Sequence, residues 1–438
     1  MRRRHLLTQT GLWAAAALFP PAAAARLAVA AAPIGQAVGD DNPQRTPYQQ
    51  LFPQPTGQNG YEEIVLAGMA ARDTERRTGF TVGREATLTQ RRQFLGEREV
   101  RRALSLLRQG LAKPIQSPHQ NADFSTLMPD LALVRALARV LAVEEYVHLA
   151  DGRTAAAIDA MADGLRLARV VSGTFLIGGL VGAASESLVL TPIATYRDQF
   201  CVRDCTRLLL LVRQFLEAPD PLLYALEMER RTATQSIPDL LRQGFEELTD
   251  GIVPTDEEGN PDAAVRAHIA ELERLRSNPA AAEEFTAQVR QRINAALDRQ
   301  IAWHRDPSSA LPTPEAPTGA DLADFFAGLV TPVYGNASRR FAESRIRLQL
   351  VGVHAAIRRH RWEHERLPAS LDELRLKGLE IDPYTRQQFV YRPKDGGADY
   401  ELASAGPFKR NEQGNAVPGQ REAIVFPRPP VSVPAQQQ

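Results

Sequence analysis

The chain has 438 residues, of which 44% are hydrophobic, and its 52 lysines and arginines match its 52 acidic residues in number. A chain of this length and apolar content can bury about two or three hydrophobic cores. The balanced charge provides no basic surface for a nucleic-acid backbone, which excludes that class of partner.

Residues 1–30 have the layout of an export signal. Three arginines at 2–4 precede an apolar run at 11–19, no acidic residue occurs, and Ala-Val-Ala at 28–30 supplies a small-residue cleavage pattern. Because the run is much shorter than the ~20 residues of a membrane-spanning helix, a cleaved leader is favoured over an anchor. Arg-Arg-His-Leu-Leu at 3–7 resembles the twin-arginine export signal, with ordinary export as the alternative. We therefore expect an exported protein, periplasmic or on the cell surface.

Residues 31–60 are rich in Pro, Gln, Gly and Asn and lack an apolar period, which predicts a disordered linker. Order is expected to begin at Tyr61. Residues 61–248 then predict a helical domain, because no alternating strand pattern occurs in them. Its expected breaks lie where glycine, proline and polar residues cluster, at 110–119, 151–152, 171–173 and 219–221.

Within this domain, residues 129–150 and 153–170 predict a helical hairpin around an Asp-Gly turn at 151–152. Apolar residues at helical spacing, such as Leu137 and Leu165, supply the facing stripes. The pair resembles one tetratricopeptide-type unit. Since no further copy follows at a fixed period, the sequence predicts a single hairpin and not a solenoid.

An apolar segment at 174–194 predicts a central core helix. Its uninterrupted run is about 12 residues long, in the range of buried helices, so the mature chain is expected to have no permanent membrane span. Gly178 and Gly182 would allow a neighbouring helix to approach closely, because glycine has no side chain to keep it away.

Three side chains of the helical domain could carry chemistry. Glu186 lies inside the apolar segment and must be ion-paired or protonated, with Arg230 or Arg231 as the expected partner. A functional pocket around Glu186 is the alternative. Cys201 and Cys205 are four residues apart and could form a strained disulfide or act as two small core residues.

Residues 249–318 resemble an insertion made of a helical hairpin and a Pro-rich hinge. An acidic turn at 256–261 precedes two helices, and the second carries an apolar stripe that must be buried against 263–275 or the main helical domain. Four prolines between 305 and 319 predict the extended hinge. The stripe consists of Phe285, Val289, Ile293, Leu297 and Ile301.

Residues 319–426 predict a long helix followed by a small sheet. The helix has an apolar face and ends before Pro368. Ser370 and Glu373 have the spacing of a capping box, which restarts a short helix, and Asp-Pro at 382–383 predicts a type I turn. The apolar face consists of Ile346, Leu350, Val353 and Ile357.

The strands of this module are short. Alternating residues at 389–392 and 400–402 predict two strands joined by a glycine turn at 395–398, and 423–426 predicts a third. The expected product is a long helix on a three-stranded antiparallel sheet. Residues 427–438 are expected to form a disordered tail.

Four short motifs follow one another here: Leu-Pro-Ala-Ser-Leu-Asp-Glu-Leu at 367–374, Asp-Pro-Tyr-Thr at 382–385, Phe-Val-Tyr-Arg at 389–392 and Tyr-Glu-Leu-Ala-Ser-Ala-Gly-Pro at 400–407. In this order they resemble the globular head of the type II secretion pseudopilins. The resemblance covers about a fifth of the chain and implies a head that assembles side by side in secretion or pilus filaments. In that family an apolar helix directly follows a short prepilin leader, whereas here about 300 residues separate the leader from the head.

The resemblance also implies a calcium site in the loop after the Gly-Pro element at 406–407, where family members use acidic residues. In this chain Lys409 and Arg410 would repel a cation, so calcium binding is not expected. The oxygen donors that remain are Asn411, Glu412 and Asn415.

His-Arg-Trp-Glu-His at 360–364 matches the inverted zincin pattern. A zinc site would need His360 and His364 facing one way, a third ligand and an open position for water. The two histidines also continue the buried face of the long helix, at an end where cationic groups complement the helix dipole. A half-buried helix end is therefore expected, with a zinc site as the alternative.

Other catalytic patterns are missing from the sequence, which has no Gly-x-Ser-x-Gly elbow, phosphate-binding Gly-Lys-Ser/Thr loop or dinucleotide fingerprint. Two pairs of polar residues share helix faces, Asp159 with Asp163 and Glu144 with His148. Both pairs are expected to be solvated or ion-paired, and not catalytic.

The sequence thus predicts a mainly α fold of helical hairpins with a small C-terminal α+β module. We expect a non-enzymatic exported protein, without metal or other cofactor, that acts by binding or assembly in the cell envelope. Envelope or secretion proteins are the expected partners. The alternatives are a component of a type II secretion or pilus-like system, and a zinc hydrolase that uses His360 and His364.

Overall fold

The computed structural model describes residues 46–81, 86–119, 128–173, 175–242, 263–310, 321–411 and 416–427. These residues form twelve α-helices followed by a small β region, which confirms the predicted fold class. The helices are α1 (Pro47–Leu51), α2 (Gly60–Thr78), α3 (Leu88–Gly96), α4 (Arg98–Leu111), α5 (Asp130–Ala150), α6 (Thr154–Ser172), α7 (Leu176–Thr195), α8 (Val202–Glu217), α9 (Pro221–Arg242), α10 (Ala263–Ser277), α11 (Pro279–Arg305) and α12 (Leu322–His364).

The C-terminal region contains two antiparallel sheets. The first has the order β1 (Val390–Lys394), β2 (Asp399–Ser404) and β5 (Ile424–Val425), in which Ala403 pairs with both Val390 and Val425. This is the predicted three-stranded sheet, and apolar residues of α12 pack in one core with Leu402 of β2. A second ribbon, β3 (Phe408–Arg410) with β4 (Ala416–Arg421), was not predicted.

The predicted hairpin is formed by α5 and α6, which meet at the Asp-Gly turn where Gly152 has a positive φ of 72°. Between α7 and α8 the chain makes a 3₁₀ turn, Arg197–Gln199. Ser370 does not cap the short helix that follows α12. That helix is a 3₁₀ turn, Leu371–Leu374, and the Glu373 carboxylate accepts a hydrogen bond from the Ala369 amide at 3.0 Å instead.

The linker prediction for 31–60 is wrong for residues 46–60. Thr46 caps α1 through a reciprocal pair of hydrogen bonds with Gln49, and the Phe52 ring packs 6.4 Å from that of Tyr61. The buried Glu62 carboxylate accepts bonds from the backbone amides of Thr56 and Gly57 at 2.9 Å. A few apolar anchors and one buried carboxylate therefore order a segment whose average composition is polar. The predicted export signal lies outside the described residues.

The apolar segment forms α7, which packs in the core as predicted. Among the described residues it is the one helix long and apolar enough to cross a membrane, and core helices pass the same test of length and composition. A Cβ atom at Gly182 would lie 2.7 Å from the Ala168 carbonyl oxygen, and one at Gly179 would lie 2.2 Å from the Phe341 ring. Glycine thus lets α6 and α12 approach α7 closely.

The stripe on α11 is buried against α10 and against α9 of the helical domain, as predicted, and also against the first half of α12. It forms a second core mainly with α9 and the first half of α12, represented by Leu226 and Phe341, while α10 contributes Leu272 and Leu275. The helices at 263–305 are therefore an integral layer between α9 and α12. The predicted acidic turn and most of the Pro-rich hinge lie outside the described residues.

The main core is continuous from α2 to the sheet. It includes Ile64 of α2, Leu141 of α5, Ile357 of α12 and Leu402 of β2 in one cluster of buried side chains. The C-terminal head, residues 367–427 with the sheets, therefore shares its interior with the helical region, because α12 is packed on both.

Candidate functional site

The inverted zincin residues lie at the C-terminal end of α12. The rings of His360 and His364 are nearly parallel, with centroids 4.1 Å apart, and His364 Nδ1 is 3.1 Å from the His360 carbonyl oxygen. His360 Nε2 is 3.5 Å from Glu373 Oε2, whereas Glu363 of the motif pairs with Arg359 at 3.5 Å. Within the described ranges, no group of three or more potential ligands is arranged to hold a metal ion.

The electrostatic surroundings of this pair do not favour a cation. Arg366 binds the same Glu373 oxygen at 3.0 Å, so the nearest carboxylate is already neutralised. The pKa of His360 is lowered, first by burial and then by the positive charges of His364 and Arg366. The geometry matches the expected half-buried helix end, in which Glu373 joins α12 to the following 3₁₀ turn.

Glu186 does not pair with Arg230 or Arg231 as predicted. Its Oε2 accepts a hydrogen bond from the Ser344 hydroxyl at 2.6 Å, and Arg169 Nε lies 4.0 Å from Oε1. Arg230 instead pairs with Asp298 and Glu227. Burial raises the pKa of Glu186, while the Ser344 hydrogen bond and Arg169 oppose the rise. The prediction failed because the partners come from distant helices, α6 and α12.

Glu186 borders a small polar cavity between α6, α7, α8 and α12. The cavity has a volume of about 30 Å³, which is enough for one or two water molecules but not for an organic substrate. Asp220 lines it as well and is held by His304 Nε2 at 2.9 Å and by the Leu222 amide at 3.0 Å.

The arginines of this cavity stabilise the end of α8. Arg169 donates to the carbonyl oxygens of Phe215 at 2.6 Å and Pro219 at 2.7 Å, and Arg345 donates to that of Leu216 at 3.0 Å. The last carbonyls of a helix have no partner within it and carry its negative dipole end. The cavity is thus a polar joint that fixes α8 between α6 and α12.

The other carboxylate pairs are ion-paired, as expected. Arg108 donates to Asp163 at 2.9 Å and to Glu144 at 2.7 Å, while His148 is 3.8 Å from Glu144. Asp159 pairs with an exposed arginine of α8. The Arg108 contacts tie α4 to α5 and α6, and the Asp159 contact ties α6 to α8.

Both cysteines are free thiols. Cys201 is exposed at the start of α8, whereas Cys205 is buried one turn later, and burial raises the pKa of the Cys205 thiol to about 12. A thiol with that pKa is not a nucleophile at neutral pH. Cys205 therefore acts as a small core residue.

The motifs at 382–385 and 400–407 make contacts with each other inside the head. The buried Asp382 carboxylate accepts hydrogen bonds from the Ser404 hydroxyl at 3.0 Å, the Ala405 amide at 2.7 Å and the Tyr384 amide at 3.0 Å. The Thr385 amide donates to the Asp382 carbonyl at 3.2 Å, so the predicted turn is formed. Asp382 thereby joins the turn before β1 to the end of β2.

Besides the contacts of Asp382, a second buried polar network joins the 3₁₀ turn after α7 to the head, and the sequence analysis did not predict it. Arg197, only 1% exposed, binds Asp399 at the start of β2 and lies 5.0 Å from the Tyr400 ring. His354 of α12 bonds to the Tyr400 hydroxyl and, at 3.0 Å, to the Arg197 carbonyl oxygen. Burial lowers the pKa of His354 to about 3, so this histidine stays neutral. In the sequence, the position of His354 next to Val353 on the predicted buried face of the helix was the signal that could have indicated its burial.

Two glutamates with raised pKa values were also missed, one fully buried and one half-buried. Glu145 of α5 is fully buried, its carboxylate oxygens have no hydrogen-bond partner among the described residues, and burial raises its pKa well above the usual range. Glu229 of α9 accepts a hydrogen bond from the Leu176 amide at 3.0 Å, and burial raises its pKa to about 7. Glu229 thereby caps the start of α7, whose own N-cap residue supplies no side-chain acceptor.

The loop where family resemblance would place calcium begins as a strand. Lys409 and Arg410 belong to β3, and the Arg410 guanidinium is half-buried close to the positive charge of Arg339. Of the three remaining oxygen donors, Glu412 and Asn415 lie outside the described residues.

No protein-family model, curated protein or solved structure matches this chain.

Proposed function

We propose that this protein is exported and acts by binding or assembly in the cell envelope, with the C-terminal head as its interaction module. The observation that carries the proposal is that the buried and half-buried polar residues make structural contacts. Asp382, Arg197, His354 and Glu186 each join structural elements, and the cavity at Glu186 holds no more than water.

The firm attachment of the head to α12 supports this role. A binding module works well when its shape is preorganised, because less conformational entropy is lost on association. The shared core and the network of Arg197, His354 and Tyr400 provide such rigidity. In this proposal the helical region is the support on which the head is presented to envelope or secretion proteins.

Export is tested by fractionating a bacterial host that produces the full chain. We expect the protein in the periplasmic or surface fraction, and accumulation of unprocessed chain in the cytoplasm would contradict the proposal. Replacing both Arg3 and Arg4 by lysine tests the route. Retention of this variant in the cytoplasm indicates twin-arginine export, and unchanged export indicates the general route.

Binding is tested by crosslinking intact cells before lysis and identifying the recovered proteins. A reproducible set of envelope proteins is expected, and a random set of soluble proteins would contradict assembly. Recovery of filament or outer-membrane secretion proteins would favour the second candidate, a type II secretion or pilus-like component, which the pseudopilin-like order of the head supports.

Metal analysis of the purified chain tests the zinc hydrolase alternative. We expect zinc well below one equivalent, because the carboxylate nearest His360 is already paired with Arg366. Stoichiometric zinc that disappears in His360→Ala, but not in the control His148→Ala on α5, would overturn the non-enzymatic proposal.

A further inference from the structure

The exposed side of α8 carries one large apolar residue between charged ends. Every third or fourth residue from 203 to 217 is exposed, and this spacing places these residues on one side of the helix. Leu210 at the centre is 63% exposed, the highest value among the large apolar side chains that the structure describes as exposed. We define the α8 face as Arg203, Arg207, Leu210, Gln214 and Glu217.

A cleft between α6 and α8 lies beside Leu210. It has a volume of about 240 Å³, and its lining includes the apolar side chains of Ile158 and Leu211. Its two sides are joined by the ion pair of Arg207 with Asp159. An apolar floor with a polar rim is the usual anatomy of a protein interface. The α8 face therefore combines a protruding leucine with a neighbouring cleft that can receive one.

The two ends of the α8 face have opposite charges. Arg203 lies seven residues before Leu210 and Glu217 seven residues after it, about 10 Å along the helix axis in either direction. Both are exposed, and neither has an ion-pair partner among the described residues. A positive charge in the first turn and a negative charge in the last oppose the helix dipole. These two charges therefore do not stabilise α8 itself, and a partner from outside would complement them.

We propose that the α8 face is a surface of self-association, on which α8 of a second copy packs antiparallel about a two-fold axis at Leu210. Such an axis places Arg203 of each copy opposite Glu217 of the other, so two ion pairs form at once. The two Leu210 side chains meet at the centre, beside the clefts. An acidic or a basic partner would complement only one end of the face, whereas a second copy complements both. This inference is independent of export and of what the head binds.

Sedimentation velocity of the full chain over a wide range of protein concentrations tests the proposal. A reductant is included, because the exposed Cys201 could otherwise link two copies covalently. One helix face is a small contact compared with the ~800 Å² per partner of stable interfaces, so we expect a reversible dimer whose share rises with concentration. A wild type that stays monomeric at every concentration would overturn the proposal.

Leu210→Asp should abolish the dimer, because two carboxylates would face each other across the two-fold axis. The variant should fold normally, since this side chain is mostly exposed, and thermal denaturation checks its fold. Tyr224→Asp is the matched control. It changes an exposed aromatic residue of α9 and should dimerise like the wild type. A dimer that survives Leu210→Asp, or an equal loss in Tyr224→Asp, would contradict the proposal.

Charge reversal at low ionic strength tests the antiparallel arrangement. Arg203→Glu and Glu217→Arg should each raise the dissociation constant of the dimer about tenfold, because two ion pairs become two repulsive contacts. Both changes suit the dipole of α8, so neither should unfold the protein. The variant that carries both should dimerise like the wild type, since the two-fold axis again places opposite charges together. Failure of this double variant to recover dimerisation would overturn the antiparallel pairing.

Discussion

The α6–α7 interface of the helical region and the C-terminal head are stabilised in different ways. Between α6 and α7 the contacts are apolar and close, as where a Cβ at Gly164 would lie 2.5 Å from the Val189 side chain. In the head and at its junction with α12, buried polar groups such as Asp382, Arg197 and His354 make the connections.

This difference determines how each region tolerates substitution. An apolar interface loses stability according to volume and shape, and neighbouring side chains can partly adjust. A buried polar network fails at single positions, because removal of one group leaves its partners without hydrogen bonds and away from water. The head should therefore be more sensitive to polar substitutions, and the helical region to changes in volume.

The largest effect is expected for Asp382→Ala in the head. It removes the acceptor for Ser404, Ala405 and Tyr384 and should lower the free energy of unfolding by about 3 kcal/mol. Urea denaturation measures the change, and Asp372→Ala, at an exposed site, is the matched control. A loss below that of the control would mean that polar contacts do not hold the head.

Gly182→Ala tests the apolar interface in the helical region. The added Cβ would lie 2.7 Å from the Ala168 carbonyl oxygen, which is backbone and cannot turn away, so we expect a loss of about 2 kcal/mol. Thermal denaturation measures the change. Gly173→Ala is the control and should be nearly neutral, because its added Cβ would lie 3.8 Å from the nearest atom, the Arg169 carbonyl oxygen. Equal melting temperatures for the two variants would refute close packing at Gly182.

Glu145→Leu tests a buried carboxyl group of the helical core that has no hydrogen-bond partner among the described residues. Because Glu145 is buried without a partner among the described residues, an apolar side chain should raise the free energy of unfolding by about 1 kcal/mol or more at pH 7. Glu144→Leu breaks the contact with Arg108 and should instead destabilise the protein. Destabilisation by Glu145→Leu would show that this carboxyl has a partner.

The smallest effect concerns the dependence of stability on pH. The pKa of Glu229 is about 7 in the folded protein against an ordinary value of 4.5. Between these values the folded state binds more protons than the unfolded state, so stability falls as pH rises through this window.

Glu229→Gln removes this titration and should flatten the decline in urea denaturation midpoints between pH 5 and pH 7.5. The variant keeps an oxygen that can accept from the Leu176 amide, which separates the loss of charge from the loss of the cap. A decline equal to that of the wild type would assign the pH dependence to other groups.

Much of the local structure could be predicted from the sequence. The α5–α6 hairpin, the buried face of α12 and the turn at Asp382 follow from helical spacing and from the backbone preferences of Gly and Pro. The second ribbon was missed because Phe408–Arg410 is only three residues long and has no alternating pattern of its own. Residues 46–60 were misjudged because their order depends on contacts with Tyr61 and Glu62.

The sequence by itself determined most of the helices, the strands of the first sheet and which of their faces are apolar, since those properties depend on neighbours a few positions away. Only the tertiary structure decided the partners. Ser344 binds Glu186 across 158 positions in the chain, and Arg197 binds Asp399 across 202. Charge and hydrogen bonding act over a few ångströms in space, so partners so distant along the chain are set by how the helices pack.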